Sequence, residues 1–156
     1  MFIFVFDLKL KRHLAYRENI HRIRGENDPS SEAARYAVEM YNEIITKERV
    51  PIFDLVILGM GDDGHTASIF PHEIELWDAH ESTVVATHPE SGQKRVSITG
   101  KVINAAREVA FLVTGDGKKE KVASIIGKKE GYLNFPASLV DPSSGKLTWF
   151  MDEAAA

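Results

Sequence analysis

Residues 53–71, Phe-Asp-Leu-Val-Ile-Leu-Gly-Met-Gly-Asp-Asp-Gly-His-Thr-Ala-Ser-Ile-Phe-Pro, constrain the fold more than any other stretch. The apolar run Phe53 to Leu58 is rich in branched side chains and has the length of a buried strand. Glycines at 59, 61 and 64 follow, so the chain must turn sharply and a ligand can approach its backbone. Thr66 to Phe70 reads as a short helix closed by Pro71. His65 then lies between the carboxyl end of a strand and the amino end of a helix, the place where ligands bind in open α/β sheets.

The spaced residues Gly59, Gly61, Asp63, Gly64, His65, Ala67, Ser68, Phe70 and Pro71 resemble the central motif of the 6-phosphogluconolactonases. That family pattern is Gly-x-Gly-x-Asp-Gly-His-x-Ala-Ser-x-Phe-Pro after a buried strand. The glucosamine-6-phosphate deaminases of the same group share the Asp-Gly-His core but continue Phe-Asn-Glu-Pro. Here Ser68-Ile69-Phe70-Pro71 follows, which favours the lactonase branch.

A chain of 156 residues is long enough for one domain with a real core. Its formal net charge of −4 argues against nonspecific nucleic-acid binding, which needs a basic footprint. Without cysteine there is no disulfide and no thiolate chemistry, which suits a cytoplasmic location. No run approaches the roughly 18 apolar residues of a membrane span, and Phe2 to Phe6 is too short for a signal peptide.

Met1 to Phe6 reads as a buried strand, followed by Asp7 and the basic residues Lys9, Lys11, Arg12 and His13. Asp28-Pro29 starts a helix, with Ala34, Val38, Tyr41 and Ile45 forming its apolar face to about Thr46. Strands are expected at Ser82 to Thr87 and Arg95 to Thr99, split by the turn at Pro89 to Gly92. A helix from Val102 to Ala106, a strand from Val109 to Thr114 and a helix from Lys118 to Ile126, stopped by Gly127, come next. Pro136 to Val140 is a helical turn and Leu147 to Met151 the last strand. Strands alternating with helices predict an α/β fold, an open, mostly parallel sheet with helices on both faces. The resemblance implies the same class, the Rossmann-type architecture called NagB/RpiA/CoA-transferase-like, as one domain over 1–156.

The resemblance runs from about Asn19 to residue 155. The family's Ser/Gly-rich phosphate loop has no counterpart in the first 18 residues, and of its Asp-Glu-Arg motif only Asp7 has a place. The chain therefore looks like a family member incomplete at its N-terminus. The surface so uncovered, with Phe2, Phe4 and Phe6, is expected either to support homo-oligomer formation or to leave the chain only marginally stable alone.

His65 is the candidate base for opening a sugar δ-lactone by water, since imidazole has a reference pKa of about 6.5. Asp63 either orients His65 or caps the helix from Thr66, and Asp62 is expected to be solvated. Gly59, Gly61 and Gly64 would let the substrate approach. By resemblance, Arg95 in Lys94-Arg95-Val96-Ser97-Ile98-Thr99 and Lys118 after Gly115-Asp116-Gly117 would hold the substrate phosphate. A guanidinium fork matches a phosphate, and a helix N-terminus at Lys118 would add free N–H groups. Lys119 and Lys121 are expected to be solvated, and His72, His80 and His88 to be scattered surface residues rather than metal ligands. The implied activity is hydrolysis of 6-phospho-D-glucono-1,5-lactone without cofactor or metal. The alternatives are a deaminase/isomerase-like enzyme or a phosphosugar-binding remnant with weak or no activity.

Overall fold

The computed structural model describes residues 20–156. The strand expected at Met1 to Phe6 and the basic residues after it lie outside the described residues. Three parallel strands form the central sheet in the order β3 (Val56–Leu58), β6 (Val109–Val113), β7 (Leu147–Met151). Their apolar, branched side chains fit a pleated, half-buried surface. The register pairs Leu58 with Phe111 and Phe111 with Trp149, and those last two rings stack 4.0 Å apart. Val56, Leu58, Val109, Phe111 and Val113 form one buried face. It joins Ile69, Trp77, Val102, Ile103, Val122 and Ile125 in the core. On the opposite face the register partners Leu112 and Phe150 are 48% and 56% exposed. The first strand is shorter than the apolar run Phe53–Leu58 implied. Phe53 instead uses its carbonyl to accept the Arg107 N–H, and Leu55 is exposed.

Helix α1 (Pro29–Glu43) begins where Asp28 and Pro29 place it: the Asp28 carboxylate accepts the Ser31 N–H at 2.9 Å. Its buried face is not the expected one. Ala33, Tyr36 and Met40 are buried together with Glu32, while Ala34, Val38, Tyr41 and Ile45 are exposed. Two stripes with three- and four-residue spacing run along this helix. The one containing Glu32 wins because every lone pair it carries inward is met. Its carboxylate accepts from Arg24 N–H, Asn27 Nδ2 and both Nε and Nη2 of Arg35 at 2.6–2.8 Å. Helix α1 rests against the antiparallel hairpin β4 (Thr83–Thr87) and β5 (Lys94–Ile98), where Thr83 Oγ1 donates to the Ala33 carbonyl at 2.7 Å. That hairpin and a small pair, β1 (Thr46–Lys47) with β2 (Val50–Pro51), stand apart from the parallel sheet.

Helix α2 (Gly100–Asn104) leads into β6, and α3 (Lys119–Ile126) follows a single 3₁₀ turn at Asp116–Lys118. The expected helix at Thr66–Phe70 is absent. Ala67 has φ +51°, in the left-handed region, and the Ile69 N–H donates back to the Thr66 carbonyl at 2.9 Å. Thr66 Oγ1 donates to the Gly59 carbonyl at 2.8 Å, closing a reverse turn where a helix would have run on. Pro71 opens two short 3₁₀ turns between Pro71 and Asp78, kinked at Glu73, instead of ending a helix; its missing N–H costs nothing at that position.

Candidate active site

The loop after β3 folds back on itself. Gly61 donates its N–H to the His65 carbonyl at 2.9 Å, and Gly64 donates to the Gly61 carbonyl at 3.0 Å. Gly64 has φ +84°, and a Cβ there would lie 2.8 Å from the Phe135 side chain. A Cβ at Gly61 would meet Asp63 Oδ1 at 2.7 Å and the His65 ring closer still. Gly61 therefore makes room for the imidazole. Gly59 is exposed with nothing near a Cβ; its carbonyl, which receives the Thr66 hydroxyl, is the part the loop uses.

With no helix at Thr66 to cap, Asp63 turns to His65. Oδ1 accepts the His65 backbone N–H at 3.0 Å and lies 2.6 Å from its Nδ1. Burial pushes the Asp63 carboxyl up, but the hydrogen bonds from the ring and backbone of His65 outweigh it and hold it below its ordinary value. An ionised carboxylate only accepts, so Nδ1 carries the proton shared with Asp63, and in the neutral ring Nε2 is the acceptor. That arrangement suits a general base.

The other side of the His65 ring rests on Phe70, with centroids 4.6 Å apart. Arg95 reaches the same aromatic ring: its Cζ lies 5.7 Å from the Phe70 centroid. The motif turn is bound to β5 by the Ser68 N–H donating to Ser97 Oγ at 3.0 Å, two residues beyond Arg95. The structure thus brings His65, with its Asp63 partner, and Arg95 onto one aromatic ring. His72 and His88 also lie against Phe70, at 5.9 and 5.4 Å between centroids, so these two are part of one cluster and not scattered. His80 is exposed.

Lys118 is half-buried, and its Nζ forms an ion pair with Asp62 of the motif loop. Asp62 is solvated as expected, its side chain 75% exposed, and it also pairs with Lys118. At the start of the turn leading to Lys118 the Gly115 N–H is already met by the Asp152 carboxylate, at 3.0 and 3.1 Å. That donor is consequently not free for an anion. Lys119 is exposed as expected, but Lys121 places Nζ 4.7 Å over the Phe135 ring, which itself covers Gly64. Asp62, Phe70 and Asp152 were not assigned site roles from sequence. The only signal for the first two is their place inside the motif, and for Asp152 its place in the acidic end after the last strand, which resembles that of the family.

Among the described residues no group of three or more histidine and acidic side chains is arranged to hold a metal. Among the same residues no helix is long and apolar enough to cross a membrane.

The profile of the family described as glucosamine-6-phosphate isomerases/6-phosphogluconolactonase matches residues 6–149. The 6-phosphogluconolactonase of Treponema pallidum (strain Nichols) is 54% identical over 126 residues, covering 81% of this chain and 52% of that protein. The 6-phosphogluconolactonase of Aggregatibacter actinomycetemcomitans is 44% identical over 139 residues, covering 89% and 58%. Among solved structures, the crystal structure of devB protein superimposes with a TM-score of 0.84 at 46% identity, covering 90% of this chain and 58% of that one. The chain spans about half the length of the curated relatives it matches.

Proposed function

Because the chain belongs to the glucosamine-6-phosphate isomerase/6-phosphogluconolactonase family, we propose that it hydrolyses 6-phospho-D-glucono-1,5-lactone to 6-phosphogluconate, the lactone-opening step of the pentose phosphate pathway. The observation that carries this reading is the His65 imidazole, held through Nδ1 by Asp63 on the same aromatic ring that meets Arg95. Water bound beside Nε2 loses a proton to His65 as its oxygen attacks the lactone carbonyl carbon. The tetrahedral adduct then expels the ring oxygen, which takes the proton back from His65 and leaves as a hydroxyl group. The new acid ionises in solution. A positioned base of this kind contributes about 10²–10⁴-fold. Asp63 keeps the ring in the required tautomer and steadies the imidazolium between the two transfers.

Arg95 and Lys118 hold the substrate phosphate and make the attack effectively intramolecular. Gly59, Gly61 and Gly64 let the substrate lie close to the loop backbone. No step calls for a metal or a cofactor. The reading places the protein in the cytoplasm, in keeping with a chain that has no cysteine, and treats residues 1–156 as one domain.

The test is a coupled lactonase assay of the parent chain and of His65→Ala, at a pH where spontaneous opening is slow. The parent should exceed the spontaneous rate and the variant should not. A parent chain that binds 6-phosphogluconate without accelerating the reaction would support the binding remnant instead.

A further inference from the structure

We propose that Phe70 is a positioning residue that fixes the distance between the His65 base and the Arg95 phosphate ligand. The proposal rests on the roles given to those two residues above. In this substrate the phosphate and the reacting carbonyl belong to one molecule, so the groups that hold them must keep a matching separation. A misplacement of 1 Å can cost about 10²-fold in rate.

The structure supplies a rigid spacer at that point. Phe70 is 1% exposed, so its ring is closely packed and has little room to shift. His65 packs on the ring at 4.6 Å with an interplanar angle of 48°, and the Arg95 guanidinium lies 5.7 Å from its centroid. Phe70 has its own supports: His88 meets it edge-on at 5.4 Å, and the preceding turn is bound to β5 through Ser68 and Ser97. Among the described residues the Arg95 guanidinium makes one hydrogen bond, a long 3.4 Å contact from Nε to Gln93 Oε1. Its terminal nitrogens are left for a ligand, and the Phe70 face is the firm contact that places them. His65 has a second support in Asp63. Loss of the aromatic ring should therefore loosen Arg95 more than His65.

The experiment uses Phe70→Leu, which stays apolar, and Phe70→Met, which fills the site more nearly and has no aromatic face. Both are compared with the parent for thermal stability and for kinetics on the phosphorylated lactone and on unphosphorylated gluconolactone. On both substrates kcat should fall about tenfold, a part of the roughly 10²–10⁴-fold that a positioned general base supplies. On the phosphorylated substrate alone, KM should also rise about threefold to tenfold, the scale of one lost charged contact. In an Arg95→Ala background that KM increment should vanish. A KM that changes equally on both substrates or on neither, with effects additive to Arg95→Ala, would make Phe70 an ordinary core residue and overturn the proposal.

A second readout needs no turnover: titration with inorganic phosphate, followed by the NMR signal of the Arg95 Nε–H. Binding about threefold weaker in both variants supports the proposal, on the same cation–ring scale. Equal affinity in parent and variants overturns it. A parent chain without lactonase activity would sink the proposed function, and the phosphate titration would then decide the role of Phe70 by itself.

Discussion

Gly61 and His65 share one space: a side chain on the first would occupy the position of the second's ring. The glycine lies four residues earlier, and its N–H closes the loop onto the His65 carbonyl. Gly61 is not at positive φ, so its backbone tolerates alanine and only the space is in conflict. Gly61→Ala should therefore leave the fold intact while pushing the imidazole off Asp63. We expect kcat for lactone opening to drop about 10²-fold, most of what a general base supplies. Circular dichroism and the lactonase assay on the same preparation check this. A variant with parent kcat would show that the His65 position observed here is not the working one.

The ion pair between Asp62 and Lys118 makes a second prediction. In the absence of substrate an exposed carboxylate occupies the lysine proposed to bind phosphate. The incoming phosphate must displace Asp62 or share the lysine with it. An exposed pair is worth about 0.2–1 kcal/mol, so Asp62→Asn should lower KM for the phosphorylated lactone by about 1.5- to 5-fold. The constant for unphosphorylated gluconolactone should stay put. A higher KM in Asp62→Asn would mean that Asp62 steadies Lys118 instead of competing for it.

The buried Glu32 predicts acid behaviour. The hydrogen bonds from Arg35 hold its carboxyl down to about 2, against the opposing effect of burial and with help from the Arg24 N–H and Asn27. The folded value lies below the unfolded one of about 4.3. The stabilisation is therefore complete above pH 4.3 or so and is lost as the pH falls toward 2. Glu32→Gln keeps the shape but not the charge. It should cost about 1.5–3 kcal/mol near neutral pH, the worth of a hydrogen bond to a charged group. The gap between parent and variant should narrow steadily on acidification below 4.3. Urea melts across that pH range measure it, and a gap independent of pH would remove Glu32 from the acid response.

Where the sequence was legible, local chemistry decided the outcome. Apolar branched runs gave β6, β7 and the hairpin, and the Asp28–Pro29 pair marked the start of α1. The buried face of that helix was hidden because burying Glu32 depends on Arg24, Asn27 and Arg35 arriving from different positions. A charged residue reads as surface until its partners are known. The turn at Thr66–Ile69 was hidden for a similar reason. Nothing about alanine announces the left-handed conformation of Ala67, and the bond from Thr66 to Gly59 exists only once the loop has closed. Asp63 was readable as one of two options, and the absent helix left only its pairing with His65. The Asp62–Lys118 pair, 56 residues apart in the chain, had no local signature.

The exposed face of the parallel sheet carries the last prediction. Leu112 and Phe150 are register partners on β6 and β7 and both are about half exposed, while on the same face Ile57 is half-buried and Ala110 is buried. Parallel sheets normally bury both faces, and uncovered apolar area of this kind favours association. Each 100 Å² of apolar surface withdrawn from water is worth about 2.5 kcal/mol before the cost of bringing two chains together is subtracted, so any association should be weak and concentration-dependent. The mean mass by light scattering should rise with protein concentration. The double variant Leu112→Lys, Phe150→Lys should abolish that rise, because like charges brought face to face repel and would be desolvated. Phe2, Phe4 and Phe6 lie outside the described residues, and replacing them with serine separates their contribution from that of the sheet face. A parent chain that stays monomeric over the whole concentration range would rule out association through either surface.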